Sequence, residues 1–367
     1  MSVPSSFRIG SLEFESPVLF APLAGYSDFA FRLTLRELGG VGLAYTEMLS
    51  PSSLLLGKAR KLKMLIATSA ADSPLGYQIY GTQADTLARA ATWLAQHGAK
   101  LVDINMGCPQ RKISTHGAGA GLLRNPDEAV RIAAQVVKAV PIPVTVKLRL
   151  GWDLQTVVAH EMVPRLEEAG VAAVTIHGRT RCQGYTGQAD LGQIRKVVQS
   201  ASRIPVIGNG DVTSPVAARA MFNETGCAAI MIGRGAMKNP WLIRDIRNDL
   251  GGLPPEPPPK REDWVRFGLV HFDRMVDLYG EPGATLLYRK WIPQYLRRLL
   301  AGRQHLVSMM MITEAPLMRA AIEDLYAPRP LEVPARLEAK ADEFDDEESR
   351  LEGRGSFNPD SGDPVES

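Results

Sequence analysis

The 367-residue chain has little cysteine, no long apolar run and almost no net charge. Its three cysteines, Cys108, Cys182 and Cys227, are too few and too scattered for a disulfide framework, and none has the paired spacing of a zinc site. No metal is expected, and a reducing cytoplasm is the expected compartment. No stretch of about 18 consecutive apolar residues occurs, so no membrane-spanning helix is expected. Met1 to Gly10 lacks the apolar segment of a secretory leader. No G-x-G-x-x-G follows the first strand-like run, which removes the main signal of a dinucleotide-binding open sheet. What remains, with 45% hydrophobic and 22% charged residues, is ordinary for a globular protein.

The net charge of +2 conceals an uneven distribution. From Leu331 onward twelve acids face four bases, a charge of −8, which leaves +10 on residues 1–330. A basic body with an acidic, Gly/Ser/Pro-containing tail suits a protein that binds a polyanion; a solubilising tail on an ordinary surface is the plainer reading.

Short apolar runs recur along the body: residues 18–24, 43–49, 75–81, 101–107, 144–150, 173–179, 205–211 and 228–235. Near-continuous apolar runs are the pattern of parallel strands buried on both faces. Between them lie helix-like segments. TQADTLARAATWLAQHG ends at Gly98, NPDEAVRIAAQVVKAV opens on Asn125-Pro126, and SPVAARAMFNETG opens on Ser214-Pro215 and closes on Gly226. SPSSLLLGKARKLKML is the least regular. Eight such units predict an α/β fold, a (β/α)8 TIM barrel, over an open doubly wound sheet. GGLPPEPPPK, residues 251–260, reads as a Pro-rich linker. Three helical stretches from residue 261 to about 327 then predict a small C-terminal helical bundle.

The polar residues that close the strands fall at one end of such a barrel, where barrel active sites lie. They include Pro22-Leu23-Ala24, Glu47, Gln78, Asn105 to Cys108, Lys147, Arg149, His177, Arg179, Asn209-Gly210-Asp211 and Gly233-Arg234. Charged groups there are costly to bury singly, so their concentration points to one polar site. The glycine-bearing ends of the seventh and eighth runs suit a phosphate site, with Arg234 adding charge-assisted hydrogen bonds. Lys147 at the mouth suits negative charge on a cofactor ring or an oxyanion, and the Gln78 amide suits a planar heterocycle. Singly, each reads as a rim residue; together they describe a pocket for a phosphorylated heterocycle such as FMN. Cys108 ends the fourth run between Gly107 and Pro109. It serves there either as a nucleophile, which needs a base and a depressed pKa, or as an acid, since an unshifted thiol (pKa about 8.5) is protonated at neutral pH.

The segments APLAGYSD, TEML, QIYG, DINMGCPQRKI, KLRLGWD, HGRT, GNGD, IGRGAMKNPW and YRKWIPQYL, between about Ser16 and Tyr326, resemble the tRNA-dihydrouridine synthases, with the bacterial B-type branch most similar. The resemblance implies an FMN-binding barrel over 1–250 and, after the linker 251–260, a tRNA-binding helical domain over 261–327; the tail 328–367, expected from its charge and composition to be acidic and disordered, has no counterpart in it. The resemblance implies reduction of uridines in tRNA to 5,6-dihydrouridine with NADPH as reductant. It also implies that hydride passes from flavin N5 to C6 and the proton from Cys108 to C5. In the same terms, Pro22, Leu23, Ala24, Gln78, Lys147, His177, Asn209, Gly210, Asp211, Gly233 and Arg234 resemble the cofactor site. Asn105, Arg149 and Tyr185, with His177 beside them, resemble the uracil site. Gly235 and Lys238-Asn239 depart from the family, which often has Ala and a Gly-Arg pair there. The implied partner is tRNA, with no membrane and no metal, and a monomer is the expected state.

The residues give RNA binding separate support. Arg289, Lys290, Arg297, Arg298 and Arg303 interleave with Tyr288, Trp291 and Tyr295, the aromatics reading as helix core more than as base platforms. Lys58, Arg60, Lys61 and Lys63 form a second basic cluster, and Arg111 and Lys112 flank Cys108. Three other functions stay open at this level. One is a flavoenzyme for free pyrimidines, which has no need of a basic helical domain. Another is a lyase or isomerase using Lys147 as a Schiff base, which would not be yellow. The last is a non-catalytic RNA binder, indifferent to loss of Cys108.

Overall fold

A computed structural model describes residues 5–57, 59–300 and 302–327. The calls on Lys58, on the Arg60 and Lys61 side chains and on the tail 328–367 lie outside the described residues.

Eight parallel strands close into a barrel: β3 (Val18–Phe20), β4 (Leu43–Tyr45), β5 (Leu75–Ile79), β6 (Val102–Met106), β7 (Val144–Arg149), β8 (Ala173–His177), β9 (Val206–Asn209) and β10 (Ala229–Ile232), with β10 pairing β3. Every residue of these strands is buried except Lys147. That is why the strands read as unbroken apolar runs rather than as alternating patterns. The strands are shorter than the runs, because each run includes the polar loop that follows.

Helices return outside the barrel with the expected caps. Asn125 accepts from the Glu128 N–H with Pro126 behind it, Ser214 accepts from the Ala217 N–H, and Gly226 closes its helix at φ 72°. The irregular second unit is two short helices, Pro51–Leu56 and Ala59–Leu65.

A feature the sequence pattern did not announce precedes the barrel. β1 (Phe7–Ile9) and β2 (Leu12–Phe14) form an antiparallel hairpin. Phe7, Ile9 and Phe14 cluster with Leu43, Leu101, Ala173 and Ala229, at or just before strand starts, and with Leu19 inside β3. The hairpin therefore stoppers the end of the barrel opposite the strand-end polar residues.

After residues 251–260, which run without helix or strand, comes the helix Arg261–Tyr279. The next predicted helix is continuous only over Glu281–Tyr288; residues 289–299 then pass through 3₁₀ and π turns. Pro293 lies inside this stretch, has no N–H to donate and crowds the preceding turn, so regular geometry fails there. The last stretch divides into Arg303–Met311 and Ala315–Glu323, with Pro316 in the first turn of the second, where proline is tolerated. Tyr288, Trp291 and Tyr295 are fully buried, so they are core. Trp291 stacks on Phe31, in the first barrel helix (Phe29–Glu37), at 4.2 Å and 23°, and Tyr26 meets its edge. Barrel and bundle share one continuous apolar core.

The same first helix is held by a buried ion pair. Arg32 meets Asp72 at 2.7 Å, and Arg36 meets it at 3.3 Å, with the Asp72 side chain fully excluded from water. Arg32 also donates to the Ser27 and Ala67 carbonyls. Removing the carboxylate leaves a buried guanidinium without its counter-charge, a loss of about 3–5 kcal/mol. We therefore expect Asp72→Ala to lower the urea midpoint steeply without changing the slope. A shift worth less than about 1 kcal/mol would mean that water reaches Arg32.

Candidate active site at the barrel mouth

The strand-end residues converge because adjacent strands are in register. Asn105 pairs with Lys147 across β6 and β7, Arg149 with His177 across β7 and β8, and His177 with Asn209 across β8 and β9. They open into a cleft of ≈ 750 Å³, within the usual range for small-molecule sites. Pro22, Leu23, Ala24, Asn105, Cys108, Lys147, Arg149, His177, Tyr185, Asn209, Gly210, Asp211, Gly233 and Arg234 all line it. Ala21, Leu23, Met231 and Ile232 make part of the lining apolar.

Gln78 is the exception. It is fully buried and does not line the cleft. Its Nε2 donates to Asp103 at 2.6 Å and its Oε1 accepts from the Asn105 Nδ2 at 2.8 Å. Its amide thus lies behind Asn105, with both ends engaged.

Cys108 is partly buried in the loop after β6. Asn105 Oδ1 accepts from the Gly107 and Cys108 N–H groups at 3.1 and 2.9 Å. Arg149 Nε donates to the Gly107 carbonyl, and Ala120 N donates to the Cys108 carbonyl. Burial pushes the thiol above its ordinary pKa, while the Gln110 backbone, Arg149 and Lys147 pull it back without prevailing. The thiol is therefore protonated at neutral pH. Among the described residues no imidazole or carboxylate bonds it.

Lys147, Arg149 and Arg234 line the cleft at the strand ends, with Arg179 behind Asp211. Lys147 Nζ donates to Asn209 Oδ1 at 3.0 Å, and Asn209 Nδ2 donates to the Met231 carbonyl. Burial, then Arg149, lowers Lys147 to about 8. Arg149 is almost entirely buried; it donates to the Thr180 and Gly184 carbonyls as well as to Gly107. Burial lowers it to about 10, so it stays charged. Arg179 grips Asp211 with two bonds of 2.9 and 2.7 Å. Arg234 is half exposed, 3.7 Å from Asp211 and 4.2 Å from the Tyr185 ring centre. Burial first, then these cations, holds His177 well below its ordinary pKa, so the ring is neutral. Arg179 Nη1 faces His177 Nε2 at 3.4 Å, which leaves the ring proton on Nδ1.

The loop after β9 is shaped by this pairing. Gly210 has φ 128°, and a Cβ there would lie 2.6 Å from that of Ala189. Asp211 follows with φ 53°, the one described non-glycine residue in the left-handed region. Two bonds from Arg179 and one from the Ala189 N–H hold it there. A Cβ at Gly235 would lie 2.7 Å from the Val212 carbonyl oxygen, so the departure from alanine at this position is a packing requirement.

Of the other contributors, Asp103 and Gln294 were not singled out from the sequence, whereas Glu47 was read as a strand-end residue and Arg298 as part of a basic cluster. Asp103 lies beneath the cleft, signalled only by a carboxylate in mid-strand. Glu47 accepts from the Gly25 N–H and so holds the loop after β3. Gln294 and Arg298 bring the helical bundle to the cleft wall beside Lys238 and Asn239, and Arg298 donates to the Lys238 carbonyl. Among the described residues no cluster of His, Cys, Asp and Glu has the makings of a metal site, and no helix is long and apolar enough to cross a membrane.

Comparison with known proteins agrees with this architecture. The dihydrouridine synthase (Dus) family matches residues 19–315. A relative from Rhodobacter capsulatus, named "Probable tRNA-dihydrouridine synthase", is 37% identical over 324 residues, 88% of this chain and 99% of that protein. The "tRNA-dihydrouridine synthase B" of Xanthomonas campestris is 38% identical over 79% of this chain and 86% of its own. Among solved structures, a 2-naphthoyl-CoA reductase complex shares the fold with a TM-score of 0.53 at 14% identity, covering 69% of this chain and 52% of that one. A morphinone reductase variant with tetrahydroNAD does so with a TM-score of 0.50 at 14% identity, covering 69% and 92%. The family match takes in the whole barrel and most of the bundle, and this chain belongs to the dihydrouridine synthase family.

Proposed function

We infer that this protein reduces uridine in tRNA to 5,6-dihydrouridine, using FMN held at the barrel mouth and NADPH as the reductant. The observation that carries this reading is the half-buried Cys108 thiol, with burial pushing its pKa up, on the wall of a cleft lined by cations and by apolar side chains.

The residues present fit a flavin mononucleotide. Apolar Leu23, Met231 and Ile232 suit a ring system, and the half-exposed Arg234 guanidinium suits a phosphate. Lys147, with three donors and one of them given to Asn209, has hydrogen-bonding capacity to spare for a ring carbonyl or nitrogen. Lys147, Arg149, Arg179 and Arg234 outweigh Asp211, so the mouth favours an anion.

A reduced flavin held there by Leu23, Lys147 and Arg234 would supply hydride chemistry toward C6 of the uracil ring. The residues of the chain do the rest. Negative charge builds on C5 and O4 as C6 becomes saturated, and the cationic rim of Lys147 and Arg149 stabilises it. Cys108 Sγ–H gives its proton to C5, so the ring gains one hydride and one proton and the C5–C6 double bond is lost. The thiolate is then reprotonated from solvent at the open mouth. Neutral, buried His177 is not the proton source. Asn105 and Arg149 hold the Cys108 loop through its Gly107 and Cys108 backbone, and Tyr185, half exposed above Arg149, shields the site. A base must leave its stack to enter, which suits the looped parts of tRNA. The +10 body and Arg298 and Lys238 at the cleft edge favour a polyanion over a free pyrimidine.

Mass-spectrometric mapping of tRNA from cells lacking the protein tests the reaction and substrate together. One uridine that carries the two-hydrogen mass increase in wild-type cells is expected to lose it, and to regain it on complementation with wild type but not with Cys108→Ala. An unchanged tRNA profile would overturn the reading.

The pH dependence separates the two titrating groups. Lys147 is cationic below its pKa of about 8 and neutral above it, whereas Cys108, raised above its ordinary range, keeps its proton further into alkali. The single-turnover rate is therefore expected to be level at neutral pH and to fall as pH rises through about 8. In Lys147→Met the rate is expected to be lower throughout, with its alkaline fall moved to higher pH. A fall that stays in place in Lys147→Met belongs to another group.

A further inference from the structure

Beneath the cleft, register sets three polar side chains in a row that the reaction just described leaves unexplained. Gln78 on β5 is the direct partner of Asp103 on β6, and Asp103 is the direct partner of Thr145 on β7. All three are buried. Thr145 Oγ1 donates to Asp103 Oδ1 at 2.6 Å, and Gln78 Nε2 donates to Asp103 Oδ2 at 2.6 Å. The row continues along β6: Gln78 Oε1 accepts from Asn105 Nδ2 at 2.8 Å, and Asn105 Oδ1 accepts from the Gly107 and Cys108 N–H groups.

We propose that Asp103 is a positioning residue for Cys108, acting through the amides of Gln78 and Asn105. The two ends of the chain dictate what lies between. A carboxylate only accepts, so Gln78 must turn its NH₂ toward Asp103 and its oxygen toward Asn105. Backbone N–H groups only donate, so Asn105 must turn its oxygen toward Gly107 and Cys108 and its NH₂ toward Gln78. The two requirements agree, and neither amide has a second satisfied orientation. Burial raises Asp103 to about 6, against the pull of its two donors and Lys147, so at neutral pH it is mainly ionised and an acceptor only. Asp103 touches neither the cleft nor the thiol. Its effect on the reaction runs through the loop that carries the thiol.

The proposal rests on the reading of Cys108 as proton donor, but its first test does not. Amide hydrogen exchange of Gly107 and Cys108 is measured in the full chain for wild type, Asp103→Leu, Gln78→Met and the double variant. Dihydrouridine formation on tRNA is followed in parallel. Asp103→Leu keeps the side-chain size and removes the acceptor; Gln78→Met cuts the chain in the middle. Each single variant is expected to speed exchange at both amides about tenfold, the size of one lost hydrogen bond, and to lower kcat by a similar factor with KM little changed. The double variant is expected to be no worse than the worse single one, because both changes cut the same chain. Asp103→Asn, which can still present an oxygen to Gln78 if the Thr145 hydroxyl turns to accept, is expected to stay within about threefold of wild type.

A folded Asp103→Leu or Gln78→Met protein with unchanged exchange at Gly107 and Cys108 overturns the proposal. So do additive effects in the double variant, which would give Asp103 a separate role. Where Asp103→Leu fails to fold, Gln78→Met decides alone. Faster exchange in the variants of a protein whose wild type forms no dihydrouridine leaves the positioning intact and overturns the assigned reaction instead.

Discussion

Three buried or nearly buried cations, Lys147, Arg149 and Arg179, share one end of a closed apolar barrel, and the site depends on how they are held. Isolated, each would be expelled to water. Lys147 is retained by Asn209 at the end of β9, and the two arginines by acceptors that the barrel loops bring to them. Arg149 takes three backbone carbonyls from the loops after β6 and β8, and Arg179 takes Asp211 with the Thr186 and Gly187 carbonyls. The relation works in both directions: the carbonyls solvate the guanidiniums, and the guanidiniums pin loops that have little other structure. The positive field is a consequence of that bracing. It adds to burial, the larger cause, in keeping His177 neutral beside Arg149 and Arg179, and the Arg179 pairing explains why the strained Asp211 backbone is tolerated.

Much of this architecture was legible because parallel barrels write themselves plainly. Eight doubly buried strands give eight apolar runs, and helix caps such as Asn125-Pro126 and Ser214-Pro215 use local chemistry that no tertiary contact overrides. What escaped has physical reasons. The hairpin β1–β2 is two three-residue strands with mixed burial, too short to establish a period. The helix expected across residues 281–300 loses its regularity near Pro293, yet its aromatics are buried all the same, so periodicity located the core and missed the backbone. Of the expected site, the residues at strand ends were legible from position alone. Gln78 was placed in the same way, but its side chain found Asp103 first. Whether a rim amide faces a ligand or a neighbour depends on the partner across the sheet, and that register is invisible in one strand.

The helical bundle is no appendage to the barrel. Trp291 stacks on Phe31 of the helix that follows β3, Tyr26 of the adjoining loop meets its edge, and Tyr279 donates to Asp28 at that helix's cap. Arg274 reaches the same helix through Thr34 and Glu37. The loop Pro22–Tyr26 is therefore clamped between the Glu47 carboxylate and the bundle. Anything that grips the bundle bears on a cleft-lining loop through rigid aromatic contact, and Gln294 and Arg298 place the bundle on the cleft wall itself.

The environment of Cys108 decides between its two chemical uses. A nucleophilic thiol needs a base in contact and a pKa drawn down toward neutrality. Here Arg149 and Lys147 do draw it down, but burial outweighs them, and His177 is engaged by Arg179. The loop is also held by its backbone, through Asn105, Arg149 and Ala120, and the sulfur itself meets the Gln110 backbone N–H rather than a base. That arrangement suits an acid. A donor must keep its proton until negative charge appears beside it, and must then give it up without moving. Burial meets the first need. The nearby cations, which stabilise the thiolate once it forms, meet the second.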